Sequence, residues 1–494
     1  MLTETTPLLP SLATAVSVVR ERKARFEWLA PLLLITGLAR GMSMYARFEG
    51  YQHSICPAEP PWSPCGSFTT WLALPTTFTY SHANAEYLRV YFDLWASFAS
   101  FVVSFLTIGF WSGLGDKRGR RIPLLGALCG LVLGDLVHIL LSWIHIAPTD
   151  AGDIMSVGIM LEGAVGGGYL GYFAAARAYA FDVAETPISR VTLFGLNDAL
   201  GLAGFFFGAI LGHLAGWRIA YIISASLGLV SLAYAFLVLP ESLPVSSSPA
   251  SSSLPVAGTA MPRRRRRASP LISIVRPITT FLGNGVTKMY LPTFGLAFLL
   301  YSFSAGGMDS GLVGYTTFLH SLPTWLVLLT PHVVSLLALL ILLPLAAHVY
   351  TLKYRTSYQS SELLSVSFLR ILTQNAIFID LISALGIVVF CLPDHAHALY
   401  DLLAVFHPLS VIARPGIWAL GAGYLVSLGK ELEVGRFFGA LSVWSGFAEV
   451  VSHFFYGPGS EIFWFSTFLL VTSLMTLLLS KSIPGEDEDG PWDD

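Results

Sequence analysis

The sequence predicts an all-α integral membrane protein with twelve transmembrane helices in two six-helix bundles and both termini cytoplasmic. Three observations carry this expectation. Hydrophobic residues make up 54% of the 494 residues and charged residues only 12%, with a mean hydropathy of +0.66, too apolar for the mixed surface and core of a soluble domain. Apolar runs able to cross a hydrocarbon core of ~30 Å, which takes ~20 helical residues, recur along the chain. Lys and Arg gather at alternate ends of those runs, and it is their placement, not the net charge of −3, that sets orientation.

The expected spans follow in order. The first, 28–46, comes after a basic stretch with Arg20, Arg22, Lys23 and Arg25; the polar, basic character of residues 1–27 predicts a cytoplasmic tail and no cleavable signal peptide. The second and third, 90–112 and 122–144, are joined by the charged loop GLGDKRGRR. The fourth and fifth, 153–178 and 191–214, flank Arg190, and the sixth is 217–240. The second bundle holds 288–307, 322–348, 372–393, 399–428, 437–457 and 461–480. Its first two spans merge around Gly311 to Pro323, and its fourth is either long or preceded by an interfacial segment. Lys353, Arg355, Lys430 and Arg436 mark its cytoplasmic ends, whereas the opposite loops HIAPTDAGD and LPDHAHA have neither Lys nor Arg.

Hydropathy divides the chain into a tail (1–27), a first bundle (28–240), a linker (241–275), a second bundle (276–481) and an acidic cytoplasmic tail (482–494). The linker reads SLPVSSSPASSSLPVAGTAMPRRRRRASP and has too few apolar residues to pack, so it is expected to be disordered. Arg263 to Arg267 fit a topology anchor that contacts acidic lipid. Alternatively, Arg266-Arg267-Ala268-Ser269 is a phosphorylation site for a basic-directed kinase.

The loop after the second span carries the most specific motif. Gly119 permits a tight turn, and Asp116 can meet a helix N-terminus or an arginine. A basic anchor alone needs neither. Asp116-Lys117-Arg118-Gly119-Arg120-Arg121 resembles the signature loop between helices 2 and 3 of the major facilitator superfamily, with Lys117 in place of the first arginine and Ser112 in place of the leading glycine. The resemblance implies twelve helices, a central cavity lined by helices 1, 4, 7 and 10, and a gating loop in which Asp116, Gly119, Arg120 and Arg121 latch the two bundles.

Helix 5 carries Gly195, Gly204, Gly208 and Gly212. Glycines four apart allow close helix packing, and so do Gly163, Gly167 and Gly171 of helix 4. The helix 5 glycines resemble a motif of drug and proton antiporters, except that Ala209 and His213 replace its proline and last glycine and the antiporters' helix 4 arginine motif is absent. The stretch GYFAAARAYAFDVAETPISRVTLFGLNDALGLAGFFFGAILG is similar to the proton-coupled folate transporter and haem-carrier family. That likeness implies a proton-coupling position early in helix 5, which falls on Asp198 or Asn197.

Ionisable residues inside spans are costly and mark function or mutual pairing. They are Arg40, Asp135, Glu162 and Asp198 in the first bundle, and Asp380, Arg414 and Glu449 in the second, with His332, His407 and His453 nearby. Arg40, Asp135 and Glu162 fall at similar depth and can form one charge-balanced network, either as a fixed neutralising pair or with Glu162 or Asp198 as a proton site. The family's cavity geometry implies that Arg40, Glu162 and Arg414 line the substrate pathway, where two cations suit an anionic solute. Asp135 and Asp380, on helices 3 and 9, rank lower. Pro415, next to Arg414, can bend helix 10.

The remaining signals are sparse. Cys56 and Cys65 share the non-cytoplasmic loop after the first span and are disulfide candidates; Cys129 and Cys391 fall in spans. No metal-ligand spacing, phosphate loop or nucleophile setting occurs, so no cofactor, metal, nucleic-acid partner or enzymatic activity is expected. Glu4-x-x-x-Leu8-Leu9 resembles the acidic dileucine signal read by adaptor proteins, which points to a vacuolar or lysosomal membrane, with the plasma membrane as the alternative. The reading is a secondary transporter of a small organic solute, with proton symport of a carboxylated solute first. Proton-driven efflux of lipophilic compounds is the alternative, and a non-transporting receptor or scaffold is the third reading.

Overall fold

The structure is a computed structural model that describes residues 23–55, 83–143, 157–243, 290–320, 324–354, 361–390, 406–428, 433–455 and 461–479. Every regular element among them is helical. In chain order these are α1 (Phe26–Ile55), α2 (Ala83–Arg118), α3 (Arg121–Trp143), α4 (residues 157–164 and Gly168–Val183), α5 (Pro187–Ala215) and α6 (Trp217–Leu237). The second half has α7 (Tyr290–His320), α8 (Thr324–Leu337, continued through Leu343–Tyr354), α9 (Ser361–Phe390), α10 (Ala413–Ser427, with a tight turn at Ser410–Ile412), α11 (Val434–Phe455) and α12 (Glu461–Leu479). Eight of the helices have described stretches long and apolar enough to cross a membrane. Large apolar side chains such as Leu140, Phe207, Leu214 and Leu345 point outward, half or more exposed, as surfaces that face lipid do.

Several helices outrun the hydropathic spans, because polar turns continue the hydrogen-bond ladder beyond the hydrocarbon. The first helix reaches Ile55 rather than residue 46, and the second covers Ala83–Arg118 rather than 90–112. The expected continuous fourth span is corrected outright, since α4 is broken at residues 165–167. Gly166, Gly167 and Gly168 have φ of 85°, 79° and 59°, a left-handed run that only glycine adopts without strain. A Cβ on Gly166 would also collide with the backbone of Gly126 and Ala127 in α3. The break therefore lets α4 lie directly on α3, where Gly126, Gly130 and Gly134 supply a matching small-residue face. Thr107 of α2 donates to the carbonyl of Gly163 at 2.8 Å, satisfying one group freed by the break.

Local signals elsewhere match their elements. Thr186, the residue before the Pro187 that starts α5, forms a reciprocal capping box with Ser189 in the first turn, and Gly216 at φ 78° ends the helix. Gly204 and Gly208 press against the α1 backbone at Leu34, Gly37 and Leu38, and Gly212 meets Met42 and Tyr45. In α10, Pro415 cannot donate to the carbonyl of Val411, and the chain tightens to a three-residue turn there. The expected linker and tails lie outside the described residues apart from residues 23–27 and 241–243, as do Cys56, Cys65, Cys391, Glu4, Leu8 and Leu9.

Candidate functional site

Four constellations of buried charge organise the molecule. The first is at the cytoplasmic end, where α2 turns into α3. Gly119 takes φ 113°, and a Cβ there would meet the Glu241 carboxylate. That carboxylate, just past α6, accepts the backbone N–H of Arg120 at 2.6 Å and of Arg121 at 3.2 Å. Arg121 also donates to the carbonyl of Ala235 at 2.8 Å, tying α3 to α6. The Arg120 guanidinium is 1% exposed and is held between Asp116 and Asp182, with Nε 2.9 Å from Asp182 Oδ2. Burial works to lower its proton affinity, but the carboxylates of Asp182 and Asp116 outweigh burial and raise it, so the guanidinium stays charged throughout the accessible pH range.

Asp116 carries the contact across to the second half. Its Oδ1 accepts the N–H of Gly435 at 2.7 Å and its Oδ2 the N–H of Arg436 at 3.0 Å, which places a carboxylate on the open N-terminus of α11. Ser112, where the family loop has glycine, donates to the carbonyl of Ile108 at 2.6 Å and packs against Gly439 of α11. The small residue needed for close approach is thus on the facing helix.

The second constellation lies in the outer half of the first bundle. Glu162 Oε2 accepts from Arg40 Nη1 at 2.8 Å and from Arg47 Nη2 at 3.0 Å; Arg47 Nη2 also reaches Asp135 Oδ1 at 3.2 Å. Ser43 and Ser224 donate to the two Asp135 oxygens at 2.5 and 2.6 Å. Two arginines and two carboxylates balance. His138, buried at 1%, bonds the carbonyl of Gly134 at 2.6 Å and stacks on Tyr221. Asp135 therefore stands inside the network, although its place on helix 3 suggests a peripheral role.

The third joins the halves. Arg177 of α4 donates to Asp198 of α5 at 2.7 Å, and its guanidinium lies over the ring of Trp418 of α10 at 4.0 Å, a cation–π contact. Both charged side chains keep slight exposure, 11% and 13%. The adjacent Asn197 is fully buried and donates to Asp198 at 3.2 Å. Arg414 sits in α10 with its side chain exposed, apart from the bonds that hold Arg40 and Arg177. The fourth constellation, in the second half, is Asp380 of α9 against His407 at 2.5 Å, both buried.

Sequence reasoning misses Arg47, Arg177, Asp182 and Glu241. Arg47 and Arg177 fall at the ends of hydropathic spans, where they read as flanks. A usable signal exists for Arg47, which stands seven residues after Arg40 and hence on the same helical face.

The comparisons with known proteins agree with this architecture. The family model for the Major Facilitator Superfamily matches residues 63–366. No curated protein sequence matches. Among solved structures, the human organic anion transporter MFSD10 (TETRAN) aligns with a TM-score of 0.63 at 18% identity, over 95% of this chain and 100% of that one. The E. coli fucose:proton symporter FucP gives 0.53 at 12%, over 92% and 98%. The proton:xylose symporter XylE gives 0.56 at 14%, over 92% and 96%. At these identities the likeness is one of fold.

Proposed function

Because the chain belongs to the major facilitator superfamily, and is a multi-pass membrane transporter rather than an enzyme, we propose that it moves a small organic anion by alternating access in symport with protons. The observation that carries this reading is the Arg177–Asp198 pair against Trp418. Arg177 is a cation at the meeting of the two halves, and Asp198 is its resident counter-ion. A proton on Asp198 would release the guanidinium, which would then bind a substrate carboxylate bidentately, with Trp418 supplying an aromatic wall. Substrate and proton would bind together because each makes room for the other. The likeness to the proton-coupled folate transporter and haem-carrier family, the proton symporters among the similar structures and the organic anion transporter MFSD10 support the same reading.

Glu162 is a weaker proton candidate than Asp198, since two guanidiniums share its oxygen. It is read as the counter-ion of Arg40 and Arg47, and Arg40 and Arg414 remain secondary cations along the pathway. The dileucine at Leu8-Leu9 favours a vacuolar or lysosomal membrane reached through adaptor proteins.

The test begins with purified protein screened against organic anions for ligand-induced thermal stabilisation, followed by proteoliposome uptake of any hit. An inward proton gradient should accelerate wild-type uptake. Asp198→Asn should abolish that acceleration while leaving substrate exchange. Uptake slowed by an inward gradient would replace symport with antiport, and no stabilisation or uptake by any organic anion would sink the substrate class.

A further inference from the structure

The two halves handle buried carboxylates in opposite ways. On α3 and α4, Asp135 and Glu162 are neutralised by Arg40 and Arg47, cations that never titrate. On α9, Asp380 is 0% exposed and has one bonded partner among the described residues, the imidazole of His407. Its second oxygen, Oδ2, is buried with no hydrogen-bond partner among the described residues. A carboxylate left half-satisfied in a low-dielectric interior is costly. Histidine is the side chain whose charge changes between about pH 5 and 8.

The pair also sits at a backbone irregularity. His407 lies just before the tight turn Ser410–Ile412 and Pro415, and a 3₁₀ turn within a helix commonly marks a hinge. The carbonyl of Ser410 is reached by Tyr301 of α7 at 3.5 Å, and that of Pro408 by Ser335 of α8 at 3.4 Å. Further along the same helix is Trp418, which covers Arg177. A change at His407 is thus connected through α10 to the meeting point of the halves.

Among the described side chains, the ionisable ones on the elements packed around the pair are Tyr301 of α7, His332, His348 and Tyr350 of α8, Arg370 of α9, Arg414 and Tyr424 of α10 and, on α5, Arg190, His213 and the Arg177-paired Asp198. Arg370 donates to the carbonyls of Leu477 and Leu478, and His332 stacks on Phe206. None of them bonds Asp380.

We propose that Asp380 and His407 form a proton-binding site in the second half, separate from Asp198, whose occupancy sets the position of α10 over the Arg177 clasp. The site deepens the symport reading and rests on it for its place in the cycle, but its existence is testable without any substrate. Proton uptake is titrated on the purified full-length chain in detergent between pH 8 and 5, with wild type, His407→Gln and Asp380→Asn compared at equal concentration. The expected result is that His407→Gln takes up about one proton fewer per chain over this range, and that Asp380→Asn, which keeps the imidazole but removes its partner, displaces the same step by at least about one pH unit. Either variant decides alone if the other cannot be purified. Curves that superimpose on wild type overturn the site. Failure of proton-driven uptake alongside a displaced titration would remove the symport reading and leave the site standing.

Discussion

The cytoplasmic latch and the outer four-charge network use the same chemistry for different ends. Both hold arginines between buried carboxylates, with Arg120 between Asp116 and Asp182 in one and Arg47 between Asp135 and Glu162 in the other. The network draws all its members from α1, α3, α4 and α6, so nothing in it needs to separate when two halves rock against each other. The latch crosses to the N-terminus of α11, so its two backbone bonds join the halves and would have to break in the cytoplasmic opening that the proposed cycle requires. Charge chemistry alone does not distinguish a fixed brace from a moving contact. Which bodies the bonds connect does.

The largest effect separating brace from latch is expected from Arg47→Ala. It removes the shared donor of Glu162 and Asp135, and breaking a buried pair by deleting one partner costs about 3–5 kcal/mol. A large fall in the thermal unfolding midpoint and in monodisperse yield is expected; an unchanged midpoint would show that the network is no brace. Asp116→Asn should cost less, about 1–3 kcal/mol, because the amide oxygen still accepts one α11 N–H. Its effect should appear in conformation instead, as faster cytoplasmic labelling of a cysteine placed at Gly113, with membrane insertion intact. Equal labelling rates with and without the Asp116→Asn substitution would remove the gating role. The smallest effect is expected from Ser112→Gly, which restores the family glycine but loses one hydrogen bond and opens a gap at Gly439. A change within about 1 kcal/mol in unfolding stability fits a contact whose clearance is supplied by α11. A loss as large as that of Arg47→Ala would mean that Ser112 organises the latch.

Much of this is readable in the chain. Apolar length, placement of basic residues and the D-K-R-G-R-R loop identify the fold, because a bilayer constrains sequence more tightly than water does. Arg40, Asp135 and Glu162 can be grouped because each interrupts an apolar run at similar depth. The partners of Asp116 cannot, since Gly435 and Arg436 lie more than three hundred residues away and bond through backbone N–H groups that leave no trace in side-chain identity. Arg47 and Arg177 are obscured because a hydropathy window ends where charge begins, whereas a helix does not. The break in α4 is hidden for another reason: three consecutive glycines read equally well as a packing surface and as a left-handed turn.

That break divides mechanical labour within one helix. The outer stub, residues 157–164, is pinned through Glu162 to α1, and the inner piece, Gly168–Val183, carries Arg177 and Asp182. With a joint at Val165, Gly166 and Gly167 between them, torque on the inner piece need not reach the outer one. In the proposed transport cycle, a movement of Arg177 on binding solute would then be spent at the cytoplasmic end, through Asp182 on Arg120, without loosening the outer wall of the same bundle.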